Sequence, residues 1–218
     1  MNTKLFKILL VGAIWACGFS MRVMANSTAL APGASVALAT ATTSPGATLL
    51  VSENDGFSGA KIQGYVNVTV LSGFTDNPWA ASGGLTFVYQ IFSSKSSVDS
   101  ITGMGIDGWT GFSTDVADYP YGTFAPSFAT RSNDGDTVTF GWQNPSLGTG
   151  LILPGSSSFE FLIYTDATSY VDVTAGVRDG DATPLITLGP AVPDGGTTAL
   201  LLGLGLLGMG LIRRARKS

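Results

Sequence analysis

The sequence predicts an all-β domain, an antiparallel β-sandwich of about seven to eight strands, flanked by an N-terminal signal peptide and a C-terminal transmembrane helix. In several segments between residues 57 and 190, apolar side chains recur at every second position, which is the period of a strand with one buried face. Turn-forming clusters such as "SNDGD", "NPSLG" and "LPGSS" separate these segments. No long stretch has helical periodicity apart from the two apolar ends.

Residues 1–25 have the features of a secretory signal peptide. Lys4 and Lys7 precede an apolar core at 8–19, and Val23 and Ala25 occupy the small-residue positions that signal peptidase recognises. We therefore expect export by the secretion machinery and cleavage after Ala25. The alternative is a lipoprotein signal acylated at Cys17, although "IWAC" places a bulky tryptophan where a small or aliphatic residue is expected.

Residues 26–56 form the next unit, a lead that is low in charge and rich in Ala, Ser and Thr. This composition is typical of loosely ordered segments, because few large apolar side chains are available for burial. The expected sandwich domain follows at 57–190. Its alternating runs are "YVNVTV", "GLTFVYQIF", "DTVTFGW", "SFEFLIYTD" and "SYVDVTAGV".

Composition excludes several classes of function. The chain has no histidine, which removes the commonest general base and metal ligand, and Cys17 is its one cysteine. Residues 26–193 carry 14 acidic and four basic residues, a net charge of −10. Such an acidic body does not suit nucleic acid as a partner, and it suits an extracytoplasmic domain.

The candidates for chemistry in the body all have simpler structural interpretations. A glycoside hydrolase needs a pair of acids, and Asp107 and Glu160 are the candidates. However, "GIDGW" around Asp107 indicates a turn, and the alternation around Glu160 indicates a strand position that faces outward. We therefore expect no enzyme activity and no catalytic residue. The loops "NDGD" (133–136) and "RDGD" (178–181) offer oxygen ligands for calcium, yet Asp-Gly is also a common turn sequence. We expect no metal site and no cofactor, with calcium as the alternative.

Aromatic residues supply a second alternative, a surface on which sugar rings stack. Aromatic side chains in a sandwich more often pack in the core, so this carbohydrate-binding function is the alternative to a non-binding role. The aromatic candidates are Trp79, Trp109, Tyr119, Tyr121 and Trp142.

The C-terminal segment 191–218 has three parts: "VPDGG", an apolar span and a basic end. The span at 197–212 would make a helix of about 24 Å, short of a hydrocarbon core of about 30 Å. Four glycines weaken it further. The basic residues should remain cytoplasmic and hold everything before the span outside. These stop-transfer residues are Arg213, Arg214, Arg216 and Lys217.

The three parts in this order resemble the PEP-CTERM sorting signal in its VPDSG/VPDGG-type variant. The usual motif is Val-Pro-Glu-Pro; Val192 and Pro193 match it, Asp194 keeps the negative charge, and Gly195 replaces the second proline before Gly196. The resemblance implies processing by an exosortase, an integral-membrane, transpeptidase-like enzyme of Gram-negative, exopolysaccharide-forming bacteria. Pro193 fixes its own backbone and favours an extended residue before it, which suits recognition by a protease-like site.

Two phrases of the body, "NPWAASGGLTFVYQI" (77–91) and "LPGSSSFEFLIYTDATSY" (153–170), are similar to an uncharacterised all-β region of many PEP-CTERM proteins. That resemblance implies family and no reaction. The sequence therefore predicts a secreted, non-enzymatic protein that is held transiently in the inner membrane, cut at 192–196 and delivered to the cell surface or exopolysaccharide matrix. A polysaccharide-binding module and a permanently anchored single-pass protein are the alternatives.

Overall fold

The computed structural model describes residues 27–42, 46–142 and 150–192. The predicted signal peptide with Ala25, the motif residues after Val192, the span at 197–212 and the basic end lie outside these ranges. Within them, no helix combines the length and the hydrophobicity needed to cross a membrane.

Thirteen strands occupy the described residues, with one short 3-10 turn at Ala80–Ser82. In chain order the strands are β1 Thr28–Ala29, β2 Ser35–Val36, β3 Ala39–Thr40, β4 Thr48–Ser58, β5 Gln63–Ser72, β6 Leu85–Ser93, β7 Gly103–Ile106, β8 Thr114–Tyr119, β9 Phe128–Arg131, β10 Val138–Gly141, β11 Glu160–Thr165, β12 Tyr170–Arg178 and β13 Ala182–Pro190. The prediction of an all-β protein is confirmed.

The strands form two sheets. The larger has seven strands in the order β1-β8-β11-β6-β5-β4, with β3 also paired to β8. The smaller has six strands in the order β13-β12-β7-β10-β9-β2. Strand pairs are antiparallel, as predicted, except that β3 runs parallel to β8. A bulge in β4 between Leu49 and Val51 shifts its register with β5.

The two sheets face each other across one apolar core. Val66, Val68 and Val70 point inward from β5, as the alternation predicted, while the polar residues between them point outward. Aromatic contacts join the sheets: the ring centroids of Phe140 on β10 and Phe161 on β11 are 4.6 Å apart. A polar contact joins them as well, because the Tyr89 hydroxyl on β6 donates a hydrogen bond of 2.6 Å to the Leu188 carbonyl on β13.

The lead at 26–56 differs from its predicted loose order. Its described residues supply β1 and β3 to one sheet, β2 to the other, and most of β4. Leu30 is fully buried in the core, and Val36 and Leu38 pack against it. Backbone pairing with the exposed edges of β8 and β9 fixes this segment, and such pairing needs no long apolar run.

The predicted strand number is too low because the short strands carry little side-chain pattern. β7 has the sequence "GMGI", in which two glycines replace the outward side chains. Gly103 is required by packing: a Cβ there would lie 3.0 Å from the Phe140 carbonyl oxygen. Close backbone approach thus determines this strand, and that approach is invisible in the hydrophobic period.

Candidate functional site

The described residues end at Val192, the first residue of the sorting-type motif. β13 ends at Pro190, which is buried. One residue later the Ala191 N–H donates a hydrogen bond of 3.0 Å to the Ser169 carbonyl, just before β12. The Val192 side chain is then 71% exposed. The first motif residue is therefore presented to solvent one residue after a backbone hydrogen bond to the domain.

Two of the three tryptophans considered for the alternative sugar-stacking surface pack in the core, whereas the candidate Tyr121 is 63% exposed. Trp109 and Trp142 are fully buried. The Trp109 ring lies edge-on to Phe87 at 5.5 Å, and the Trp142 ring lies edge-on to Phe161 at 5.4 Å. The Trp142 indole N–H donates to the Phe124 carbonyl at 3.0 Å. Both rings face the opposite sheet, so core packing takes them away from any ligand.

The two acids considered for hydrolysis lie on different sheets. Asp107 follows β7 in a turn with Gly108 at φ 92°, and its carboxylate accepts a hydrogen bond of 2.8 Å from the Thr137 hydroxyl. Glu160 begins β11 and faces the outer side of the larger sheet, away from the core, as predicted. Partial burial there raises the pKa of Glu160. The fold does not bring these two carboxyl groups together.

The "NDGD" loop is a turn held by its own carboxylates. Asp134 accepts hydrogen bonds from the Ser132 hydroxyl and the Asp136 N–H, and these bonds lower the pKa of Asp134. The Asp136 carboxylate accepts from the Thr110 hydroxyl at 2.9 Å. Gly135 adopts the left-handed conformation, with φ 77°, that such a turn requires.

The "RDGD" loop is likewise a turn, the three-residue connection between β12 and β13. Its Asp181 N–H donates to the Asp179 carboxylate at 3.1 Å. Across the described residues, no group of three or more Asp, Glu or Cys side chains is arranged to hold a metal ion. The carboxylates of both loops thus serve the turns in this structure.

The outer face of the larger sheet holds a groove that the sequence did not reveal. Val88 on β6 and Leu162 on β11 line it together with Phe74 and Tyr119, around a volume of about 270 Å³. Thr42 closes one side, because its N–H and its hydroxyl both donate bonds of 2.7 Å to the buried Asp76 carboxylate. The groove depends on four strands and on the lead, so no local pattern could predict it.

Further along the same face, an aromatic pair of one exposed and one half-buried residue lies on neighbouring strands. The rings of Tyr65 on β5 and Phe92 on β6 are stacked, with centroids 4.6 Å apart and an interplanar angle of 14°. The two residues are direct cross-strand partners. The β4 partner on the other side of Tyr65 is Gly56. None of these three residues was a sequence candidate, because they come together only through strand register.

Comparison with protein families finds one match, the VPDSG-CTERM motif at residues 191–216. This range contains Val192–Gly196, the apolar span and three of the four basic residues that the sequence analysis selected. Neither the curated proteins nor the solved structures include a match to the chain. The chain therefore carries, at residues 191–216, a PEP-CTERM-like sorting signal of the VPDSG type.

Proposed function

We propose that the protein is exported, held in the inner membrane by its C-terminal span, and processed within residues 192–196 by an exosortase-type enzyme. The matched sorting motif at 191–216 is the observation that carries this proposal. Signal peptidase acts at Ala25 in this scheme, and the basic residues after the span keep the C-terminus cytoplasmic. The β-sandwich is the delivered cargo, a non-enzymatic component of the cell surface or the exopolysaccharide matrix.

The exit geometry of the domain supports processing at this position. The Ala191 N–H is hydrogen-bonded to the domain, and the next residue, Val192, is exposed. Residues 191–196 can span at most about 20 Å when fully extended, at about 3.3–3.6 Å per residue. The folded domain is therefore held close to the membrane, where a membrane-bound enzyme can reach the segment without unfolding β13.

The test is mass spectrometry of the C-terminal peptide of the protein recovered from its native cells. We expect the mature pool to lack "LIRRARKS" in wild-type cells and to retain it in cells without the exosortase. Substituting the motif proline, Pro193→Ala, should likewise leave the full-length precursor in the inner membrane. Pro184→Ala, at an exposed proline of β13 outside the motif, is the matched control and should be processed normally.

An intact "LIRRARKS" end in the mature wild-type protein would refute processing. That result would favour the alternative, a permanently anchored single-pass protein. If Pro193→Ala were processed normally, cleavage by the exosortase would still hold, but Pro193 would not be part of what the enzyme recognises.

A further inference from the structure

We propose that the outer face of β4, β5 and β6 binds a neutral saccharide, with a sugar ring stacked on Tyr65. This inference concerns what the delivered domain does, and it does not depend on the sorting reaction. The residues of this face differ from the aromatic candidates that the fold buries, because strand pairing brings them together.

Tyr65 forms a braced platform with one uncovered side. Its ring stacks on Phe92, and its side chain remains 40% exposed. Gly56 faces Tyr65 from β4, and a Cβ built at Gly56 would have no atom within 4 Å. The space beside the ring on the β4 side is therefore open, while Phe92 limits its movement on the other side. A rigid aromatic face next to open space suits stacking of a flat, partly apolar ring.

Uncharged hydrogen-bonding groups continue along the same face. Two residues along β5 from Tyr65, the Asn67 amide donates to the Asn54 side-chain oxygen at 3.0 Å. Two residues further along β5, the Thr69 hydroxyl is hydrogen-bonded to the Ser52 hydroxyl at 3.0 Å. Outward positions on a strand repeat at about 6.6–6.8 Å, so these two pairs lie about 7 and 14 Å along the strands from the ring. This row can contact successive hydroxyl-bearing units of an extended ligand.

A cavity of about 380 Å³ adjoins the platform and is lined by Tyr65, Phe92, Gln63 and Ser94, among others. Its volume lies within the range of about 300–1,000 Å³ that small-molecule sites occupy. Amide and hydroxyl groups beside an aromatic ring match the chemistry of a sugar, which has an apolar face and a hydroxyl rim.

Charge excludes the anionic polymers that also stack on aromatic rings. The outward-facing residues of β4, β5 and β6 include no lysine or arginine. The acidic residues of β4, Glu53 and Asp55, pair with the inward-facing Val68 and Val66 and so belong to the opposite face. With a net charge of −10 over residues 26–193, nothing here neutralises phosphates or uronates. The ligand is therefore a neutral saccharide.

Affinity electrophoresis of the full chain tests the proposal directly. The chain is kept in a non-ionic detergent without a sugar headgroup, and the gels contain dextran, galactomannan or alginate. We expect retarded migration with at least one neutral polysaccharide and none with alginate, which is anionic. Tyr65→Ala should weaken the apparent affinity about threefold to tenfold, as loss of an aromatic stacking contact does.

Gly56→Val is the sharper variant, because it fills the open side of the ring and removes no group from the site. Valine fits a strand better than glycine, so folding should be retained, as the thermal unfolding midpoint would show. Binding should nevertheless be lost. Tyr170→Ala is the matched control: this tyrosine is 38% exposed but lies on β12 of the other sheet, and its replacement should leave migration unchanged.

Three outcomes would overturn the proposal. The first is no retardation by either neutral polysaccharide, and the second is retardation that Tyr65→Ala and Gly56→Val leave unchanged. The third is a Tyr65-dependent change in the size of the protein without retardation, which would assign this face to a second copy of the chain. The assay uses unprocessed protein, so failure of exosortase processing cannot mimic any of these results.

Discussion

Replacing Arg131 with methionine should lower the free energy of unfolding by about 3 kcal/mol, because this arginine connects its own turn to two distant segments, one at Leu30 and one at 109–114. Arg131 ends β9 and is only 5% exposed. Its guanidinium donates five hydrogen bonds, and burial lowers the pKa of Arg131. The acceptors are the carbonyls of Gly135 at 2.9 Å, Trp109 at 2.6 Å, Phe112 at 2.9 Å and Leu30 at 3.3 Å, and the Thr114 hydroxyl at 3.0 Å.

The magnitude follows from which acceptors have a second donor. The Trp109 carbonyl also accepts from the Phe112 N–H, and the Leu30 carbonyl also accepts from the Thr114 hydroxyl. The carbonyls of Gly135 and Phe112 would lose their side-chain partner. A buried carbonyl left unsatisfied costs about 1–3 kcal/mol, and the Phe112 carbonyl is only partly buried, so the two together give about 2–4 kcal/mol. Release of the guanidinium from its buried position offsets part of this cost.

Urea unfolding followed by tryptophan fluorescence measures the change, because Trp109 and Trp142 are buried in the folded state. A loss of about 3 kcal/mol should lower the thermal midpoint by about 6–12 °C in a domain of this size. Arg178→Met, at an exposed arginine that ends β12, is the control and should change stability by less than about 0.5 kcal/mol. If Arg131→Met lowers the free energy of unfolding by less than about 1 kcal/mol, the argument that two carbonyls lose their hydrogen-bond donor is refuted.

Two further predictions concern neighbouring strand positions and pH. Phe161→Ala should lower the free energy of unfolding by about 3–5 kcal/mol, because it opens a cavity beside Phe140. Glu160→Gln, one residue away on the outer face, should change the free energy of unfolding little. Equal effects of the two variants in urea unfolding would contradict the faces assigned to these residues. Burial raises the pKa of Asp115, Asp118 and Glu160 from ordinary values of 3.8 and 4.5. The folded state therefore binds more protons than the unfolded state between the ordinary and the raised values, and stability falls as pH rises through that window. The thermal midpoint should be higher at pH 4.5, the ordinary value of Glu160, than at pH 7, and an equal or lower midpoint at pH 4.5 would count against these shifts.

Period-two patterns located β5, β6 and β11 because side-chain burial determines these strands. The run at 66–70 lies in β5, the run at 85–91 lies in β6, and the run at 159–163 overlaps β11. The same patterns also placed Glu160 on the outer side. They missed β4, which lies mostly in the lead expected to be loosely ordered, and they missed β13. They also failed for the "GMGI" strand and for the two-residue strands of the lead, where backbone pairing decides and side chains carry little periodic signal.

The sequence by itself determined the all-β class and the sorting signal at 191–216. Alternation is a local property, and a linear motif is recognised from its own residues. The tertiary structure decided which aromatic residues are available to a ligand. It buried Trp109 and Trp142 between the sheets, and it brought Gly56, Tyr65 and Phe92 side by side on three strands. Register between strands fixes such a set, and register depends on the packing of the whole sandwich.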